Sequence, residues 1–364
     1  MKKLILSQYQ RAKRFYFKYE RFLMPATLVV GFLVDYFTFT NIQISITFAL
    51  LAIYWLFTGL IILFSHAYDA DKISKKFRYL RLFSPLLLQF FFGALLSASL
   101  IFYWFSGAFS VSWPIVGIIA VLMVSNDVFR HYFIKPIVQI SVYFFATVSL
   151  ASVILPFIFN SLSEWLFVAA VAGGLAFFLP AIHFLSKLSP EIKKQKRALF
   201  ACVVAIAFAM NALYFANIIP PIPLALREAG LYHGLKVSNG SYTMKGEPED
   251  FLQNILHGKL LHVQPGEKIY LYTSIFAPAK VQTTIVHHWQ YYDPAQEDWI
   301  TKDKLSFPIA GGRQEGYKAY SFESNLPAGR WRVFVENQRG QVLARVRFIV
   351  ERATEPAQLQ EVVR

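Results

Sequence analysis

Lys193-Lys194-Gln195-Lys196-Arg197 is followed by about twenty mostly apolar residues, Leu199 to Ile219, and then by Pro220-Pro221-Ile222-Pro223. An α-helix needs about 20 such residues to cross a hydrocarbon core of about 30 Å. A basic cluster resists translocation and so marks the cytoplasmic end of the helix. The stretch therefore predicts a spanning helix that leaves the bilayer on the outer side, at the prolines. Upstream the chain is a series of apolar runs; downstream, from Gly230, it changes to the period of two that marks β-strands. The fold class follows: an α-helical integral membrane domain of about seven transmembrane helices, then an all-β, immunoglobulin-like antiparallel sandwich.

Composition agrees with this division. Of 364 residues 55% are hydrophobic, 17% aromatic and only 16% charged, against about a quarter charged in a soluble domain. Up to residue 219 there are 19 Lys and Arg against 7 Asp and Glu, and beyond it 17 against 15, so +12 of the net +14 lies in the apolar half. That places the basic charge in membrane loops and argues against a nucleic-acid partner. Cys202 is the only cysteine and lies within an apolar run, which rules out an intrachain disulfide framework, a CxxC motif or a thiolate zinc site.

Residues 1–21 carry Lys2, Lys3, Arg11, Lys13, Arg14, Lys18 and Arg21. A charged segment of this length, followed by a run containing Asp35 and by no A-x-A site, reads as a retained cytoplasmic N-terminus rather than a cleaved signal. Residues 5–20 also suit a basic amphipathic surface helix. Seven apolar segments follow, at about 22–40, 43–65, 84–105, 108–125, 137–159, 165–185 and 199–219. The loops expected outside, 41–42, 106–107 and 160–164, hold no Lys or Arg, and all 19 basic residues of this half fall on the other side. The positive-inside rule is met at every turn with seven helices, N-terminus in and C-terminus out.

Residues 220–229 form a stiff, Pro-rich link. Strands are expected at 231–237, 259–263, 267–276, 281–291, 304–309, 316–323, 330–336 and 341–350, a short helix at 249–257, and an Asn239-Gly240 hairpin turn. The β domain is read as 230–351, and 352–364 as a disordered polar tail.

Within this domain stand His288-Trp289, Gly312-Arg313, Gly316-Tyr317-Lys318-Ala319-Tyr320-Ser321, Pro327-Ala328-Gly329-Arg330-Trp331-Arg332-Val333, Gly340-Gln341-Val342-Leu343 and Phe348. Over roughly residues 230–351 the chain resembles the bacterial family catalogued as domain of unknown function 2914, often found at the end of multi-helix membrane proteins. The resemblance implies a periplasmic β-rich domain on a bacterial inner-membrane protein, and implies no activity.

Three sets of residues are candidates for function. In the last hairpin, Arg330, Arg332, Arg345 and Arg347 share one face, and pairing Glu336 with Gln341 puts Arg332 opposite Arg345 and Arg330 opposite Arg347. Like charges directly opposite repel. Such a face needs either some of the domain's 15 acids or an anionic partner: a phospholipid headgroup, phosphate or an acidic envelope polymer. His288 and Trp289 adjoin this region. Trp289, Trp299 and Trp331 suit either sugar stacking or the core. His287 and His288 point to opposite faces of a strand, which weighs against a shared metal even if His233, His257 or His262 joined one of them.

In the membrane, Asp35 is the intramembrane carboxylate to watch; Gln89, Gln139, His183 and Asn211 read as links between helices, and Gly93-Ala94 and Gly173-Gly174 as close-packing points. HExxH, GxSxG, Walker A and GxGxxG patterns are absent, so no catalytic residue, cofactor or metal is assigned. The expectation is a sensing, binding or assembly protein of the envelope that engages a ligand or protein partner through its β domain. The alternative is a small transporter or lipid-handling protein using Asp35 and other helix-interior polar groups.

Overall fold

A computed structural model describes residues 10, 19, 26, 30 and 44–364, except 107–108, 129–134, 221–223, 239, 249–258, 279–280 and 313–315. Asp35 and all of the first expected span but residues 26 and 30, His257, Arg313, the 249–257 helix and residues 221–223 of the proline link lie outside the described residues. The contacts divide the chain into two units. One holds residues 1–102, 114–155 and 163–215; the other holds 103–113, 156–162 and 216–364.

Apart from the helix ends at 103–106, 109–113 and 156–159, the first unit holds the described helices α1 (Ile44–Asp69), α2 (Arg78–Ser106), α3 (Phe109–Val128), α4 (Pro136–Phe159), α5 (Glu164–Leu188) and α6 (Pro190–Phe215). Among the described residues five of these are long and apolar enough to cross a membrane; α3 is shorter in its apolar part. Prolines inside α2, α3, α4 and α5 are tolerated in apolar helices whose neighbours re-satisfy the freed carbonyls.

One expected loop is corrected. The basic cluster from Lys193 to Arg197 forms the opening turns of α6, because Pro190 suits a first helical position and the Ser189 carbonyl accepts the Lys193 amide at 3.0 Å. Polar contacts join the helices where the apolar faces alone would leave rotation free. Trp55 Nε1 donates to Thr147 Oγ1 at 2.8 Å, Tyr143 Oη to the Trp55 carbonyl at 2.8 Å, and Asn126 Nδ2 to the Gln89 carbonyl at 3.2 Å. His66 Nε2 meets Gln139 Oε1 at 3.2 Å, and Arg81 grips Asp69 with two hydrogen bonds of 2.7 and 2.8 Å. Asn211 bonds instead to its own helix, at the Ala207 carbonyl.

Among the described residues the second unit carries eleven strands: β1 (Ala225–Tyr232), β2 (Gly234–Ser238), β3 (Ser241–Gly246), β4 (Lys259–Val263), β5 (Lys268–Phe276), β6 (Gln282–Asp293), β7 (Asp298–Ala310), β8 (Tyr317–Ser324), β9 (Gly329–Asn337), β10 (Val342–Arg352) and β11 (Gln360–Val363). They form sheets ordered β1-β5-β8, β4-β10-β9-β6-β7 and β11-β3-β2. Inward residues of the first two sheets, among them Leu231, Leu271, Ile285, Trp289, Trp331 and Phe348, build one core. Alternation explains why: along β9, Trp331, Val333 and Val335 are buried while Arg330, Arg332 and Phe334 are not.

Three expectations change. The pairing is not wholly antiparallel, since β4 runs parallel to β10. The tail is not free of structure, since β11 pairs with β3 and Arg364 Nε donates to Glu228 at 2.7 Å. The last hairpin also shifts its register. Asn337 accepts from the Arg339 and Gln341 amides at 3.0 Å each through Oδ1, and its own amide donates to the Gln341 carbonyl. The loop therefore closes as Asn337 opposite Gln341, and a bulge at Leu343 then places Arg345 opposite Phe334, Arg347 opposite Arg332 and Ile349 opposite Arg330. Asn239 lies outside the described residues, but on either side of the expected turn Ser238 pairs with Ser241, and Gly240 sits at φ +80°.

Candidate functional site

The outer face of the five-stranded sheet is organised in cross-strand rows. One row is Lys304, His288, Phe334 and Arg345, and the next is Thr301, Gln290, Arg332 and Arg347. Tyr292 pairs with Trp299 at the end of the β6–β7 hairpin, beside Arg330 and Ile349. All four arginines singled out in the sequence come together here. Arg332 and Arg345 are half-buried; Arg330 and Arg347 are exposed.

Aromatic faces stand where carboxylates were expected. Arg330 lies 3.8 Å above the Tyr292 ring, and Arg332 lies 4.0 Å from Trp299 and 4.9 Å from Phe334. Ring quadrupoles offset guanidinium charge, each contact contributing about 0.5–2 kcal/mol. Among the described residues no carboxylate lies within ion-pair distance of any of the four. Burial, then Arg345 and Arg347, hold the Arg332 guanidinium below its ordinary range, with Asp298 opposing; burial, then Arg347, do the same to Arg345. The face thus concentrates like charge that, among the described residues, no carboxylate meets at ion-pair distance.

His288 acts behind this face. Its Nε2 meets Gln290 Nε2 at 3.0 Å and Thr301 Oγ1 at 2.8 Å, while Gln290 Oε1 accepts from Arg332 Nε at 2.7 Å. Burial, then Lys304 and Arg332, push the His288 imidazole down, so the neutral ring can accept the Gln290 amide and fix the glutamine that orients Arg332. Glu336, an acid on the same strand face, points to His288 Nδ1 at 3.4 Å, and burial pushes its carboxyl up despite Lys304.

Trp289 is corrected: it is wholly buried, its indole N–H donating to Ser321 Oγ at 2.9 Å. Trp331 is buried as well, so of the three tryptophans considered for sugar stacking only Trp299 reaches this face. His287 faces the core opposite His288, with Thr273 Oγ1 at 3.1 Å and Ser321 Oγ at 2.9 Å. His233 and His262 join each other through Glu247, away from both, and among the described residues no group of three His, Cys, Asp or Glu is arranged to hold a metal. The sequence reading missed Gln290, Tyr292, Trp299 and Phe334 as parts of the face. The one usable signal was strand parity across the β6–β7 hairpin.

A family model described as "Protein of unknown function (DUF2914)" matches residues 282–350. That segment contains β6 through the greater part of β10, and so every residue of the arginine face. No curated protein matches the chain. Among solved structures the chain is similar to the Pseudomonas fluorescens alkylpurine DNA glycosylase AlkC bound to DNA containing an abasic site analog. The identity is 11%, over 82% of this chain and 97% of that one, with a TM-score of 0.21. A likeness at that level carries no argument about fold or function.

Proposed function

We propose that this chain is a seven-span bacterial inner-membrane protein, N-terminus cytoplasmic, whose periplasmic β-sandwich binds an anionic component of the envelope at the arginine–aromatic face. The membrane placement is supported by the five long apolar helices and by the alternation of basic and uncharged loops. The immunoglobulin-like reading is supported by two sheets around one core.

One observation carries the binding role. Arg332, Arg345 and Arg347 are gathered on one face, two of them half-buried, with no described carboxylate to pair them. A phosphate or carboxylate placed there would relieve their mutual repulsion and accept paired N–H donors in the planar geometry that guanidinium offers. The ligand class is thus an oxyanion, carried by a lipid headgroup, a free phosphate compound or an acidic polymer.

The test uses the full chain in phosphatidylcholine nanodiscs, offered inorganic tripolyphosphate in solution or vesicles containing phosphatidylglycerol. Arg330→Glu with Arg347→Glu, both at exposed positions, is expected to weaken binding tenfold or more, a loss of at least about 1.4 kcal/mol. Unchanged binding in that variant would remove the face from the account.

A further inference from the structure

A second cluster lies at the corner where β1 turns into β2. His233 occupies that corner, and its amide donates to the Lys245 carbonyl on β3 at 2.8 Å. Its side chain is 2% exposed, and both ring nitrogens meet carboxylates: Nδ1 lies 2.7 Å from Glu267 Oε1, and Nε2 lies 2.9 Å from Glu247 Oε1. Each carboxylate is tied down further. Glu247 Oε1 accepts the His262 amide at 2.7 Å and its Oε2 meets His262 Nδ1 at 3.0 Å; Glu267 Oε2 accepts the Gln264 amide at 2.8 Å. The contacts thus bind the β1–β2 corner, the end of β3, strand β4 and the turn before β5 into one knot.

A neutral imidazole has one N–H and one lone pair. At 2.7–2.9 Å the lone pair of a neutral ring would face a carboxylate oxygen, which repels it. Only an imidazolium satisfies two ionised carboxylates at once, and a buried arrangement of this kind is costly when one member goes unsatisfied.

We propose that His233 is a proton-dependent clamp, closed while its ring carries two protons and opened when one proton leaves to solvent. The other ionisable groups of the elements that meet here are placed differently. His262 reaches the ring only through Glu247, Lys245 contributes its carbonyl, Lys259 lies over the Tyr232 ring, and Glu228 is engaged by Arg364. On the acid side, burial pushes the Glu247 carboxyl up, but hydrogen bonds from the His262 amide and ring and from His233 outweigh it and hold the group below the usual carboxylate range. Glu247 therefore stays ionised as pH falls well below neutral, and its share of the clamp is lost only in stronger acid. What opens is the hold on β4, the edge strand that pairs with β10, and β10 carries Arg345 and Arg347.

The test is hydrogen–deuterium exchange on the full chain in nanodiscs. It reads the peptide covering residues 259–267 at about pH 6 and about pH 8.5, corrected for intrinsic exchange, a range that spans ordinary histidine titration. Wild type is expected to lose protection about tenfold or more at the higher pH as the local hydrogen bonds open. Glu267→Gln should abolish this step and keep protection high, because the glutamine oxygen still accepts the Gln264 amide while its N–H satisfies the neutral ring. His262→Gln should retain the step. A flat wild-type profile, an unchanged step in Glu267→Gln, or loss of the step in His262→Gln would each overturn the proposal.

Discussion

His287 shows how much one residue can carry. It is wholly buried, and burial pushes its imidazole down to about 3, so in the folded chain it is neutral and bonded to Thr273 and Ser321. An unfolded chain takes up that proton near the ordinary histidine value of about 6.5. Between those two values the unfolded state binds the extra proton, so the contribution of His287 is complete above about pH 6.5 and declines as pH falls, by up to about 1.4 kcal/mol per unit. Thermal unfolding of the full chain, followed by fluorescence of buried Trp289 and Trp331, should therefore weaken more steeply from pH 7 to pH 5 in wild type than in His287→Gln, a range set by that titration. Parallel slopes would show that the ring does not titrate as its burial requires. Strand parity made the opposite orientations of His287 and His288 legible in the sequence. It could not supply their partners: Thr273 and Ser321 come from the opposing sheet, and Gln290, two residues along the same face, was not recognised as the link to Arg332.

At the scale of elements, Gly173 and Gly174 read alike in the sequence but differ in the fold. A Cβ on Gly174 would lie 3.1 Å from the Phe144 ring and 3.2 Å from Val148, whereas one on Gly173 meets nothing within 4 Å. Gly174→Leu is therefore expected to wedge α5 from α4 and destabilise the helical unit by about 1–3 kcal/mol, while Gly173→Leu stays near wild type. Equal thermal stabilities of the two variants in detergent would contradict this packing. Apolar run length located α1, α3, α4 and α5 to within about four residues at each end, whereas α2 and α6 begin well before their apolar runs, at Arg78 and Pro190. The α6 start is not set by the apolar run, because Pro190 and Glu191 open the helix and the basic cluster 193–197 continues it. Strand pairing was less legible. The Asn337 side chain fixes the last turn and forces the bulge at Leu343, and β11 depends on a partner, β3, more than a hundred residues earlier. Neither arises from a local pattern.

Across the whole molecule, the division at Lys193–Pro223 and the β-rich character of the remainder were both visible in composition and periodicity. The grouping of the four arginines was visible too, since alternation alone places them on one face. That aromatic rings rather than acids surround them was not, because Tyr292 and Trp299 arrive from a neighbouring hairpin. This difference gives the domain its proposed role: rings offset part of the charge but leave the N–H edges of Arg345 and Arg347 without a described carboxylate. The most direct measurement is a titration of the full chain in phosphatidylcholine nanodiscs with inorganic tripolyphosphate at low and high salt. The account predicts saturable binding that weakens as the Debye length shrinks from about 10 Å toward 3 Å, and that is lost in Arg330→Glu with Arg347→Glu. Absence of binding at low salt, or binding indifferent to both salt and the double substitution, would contradict it.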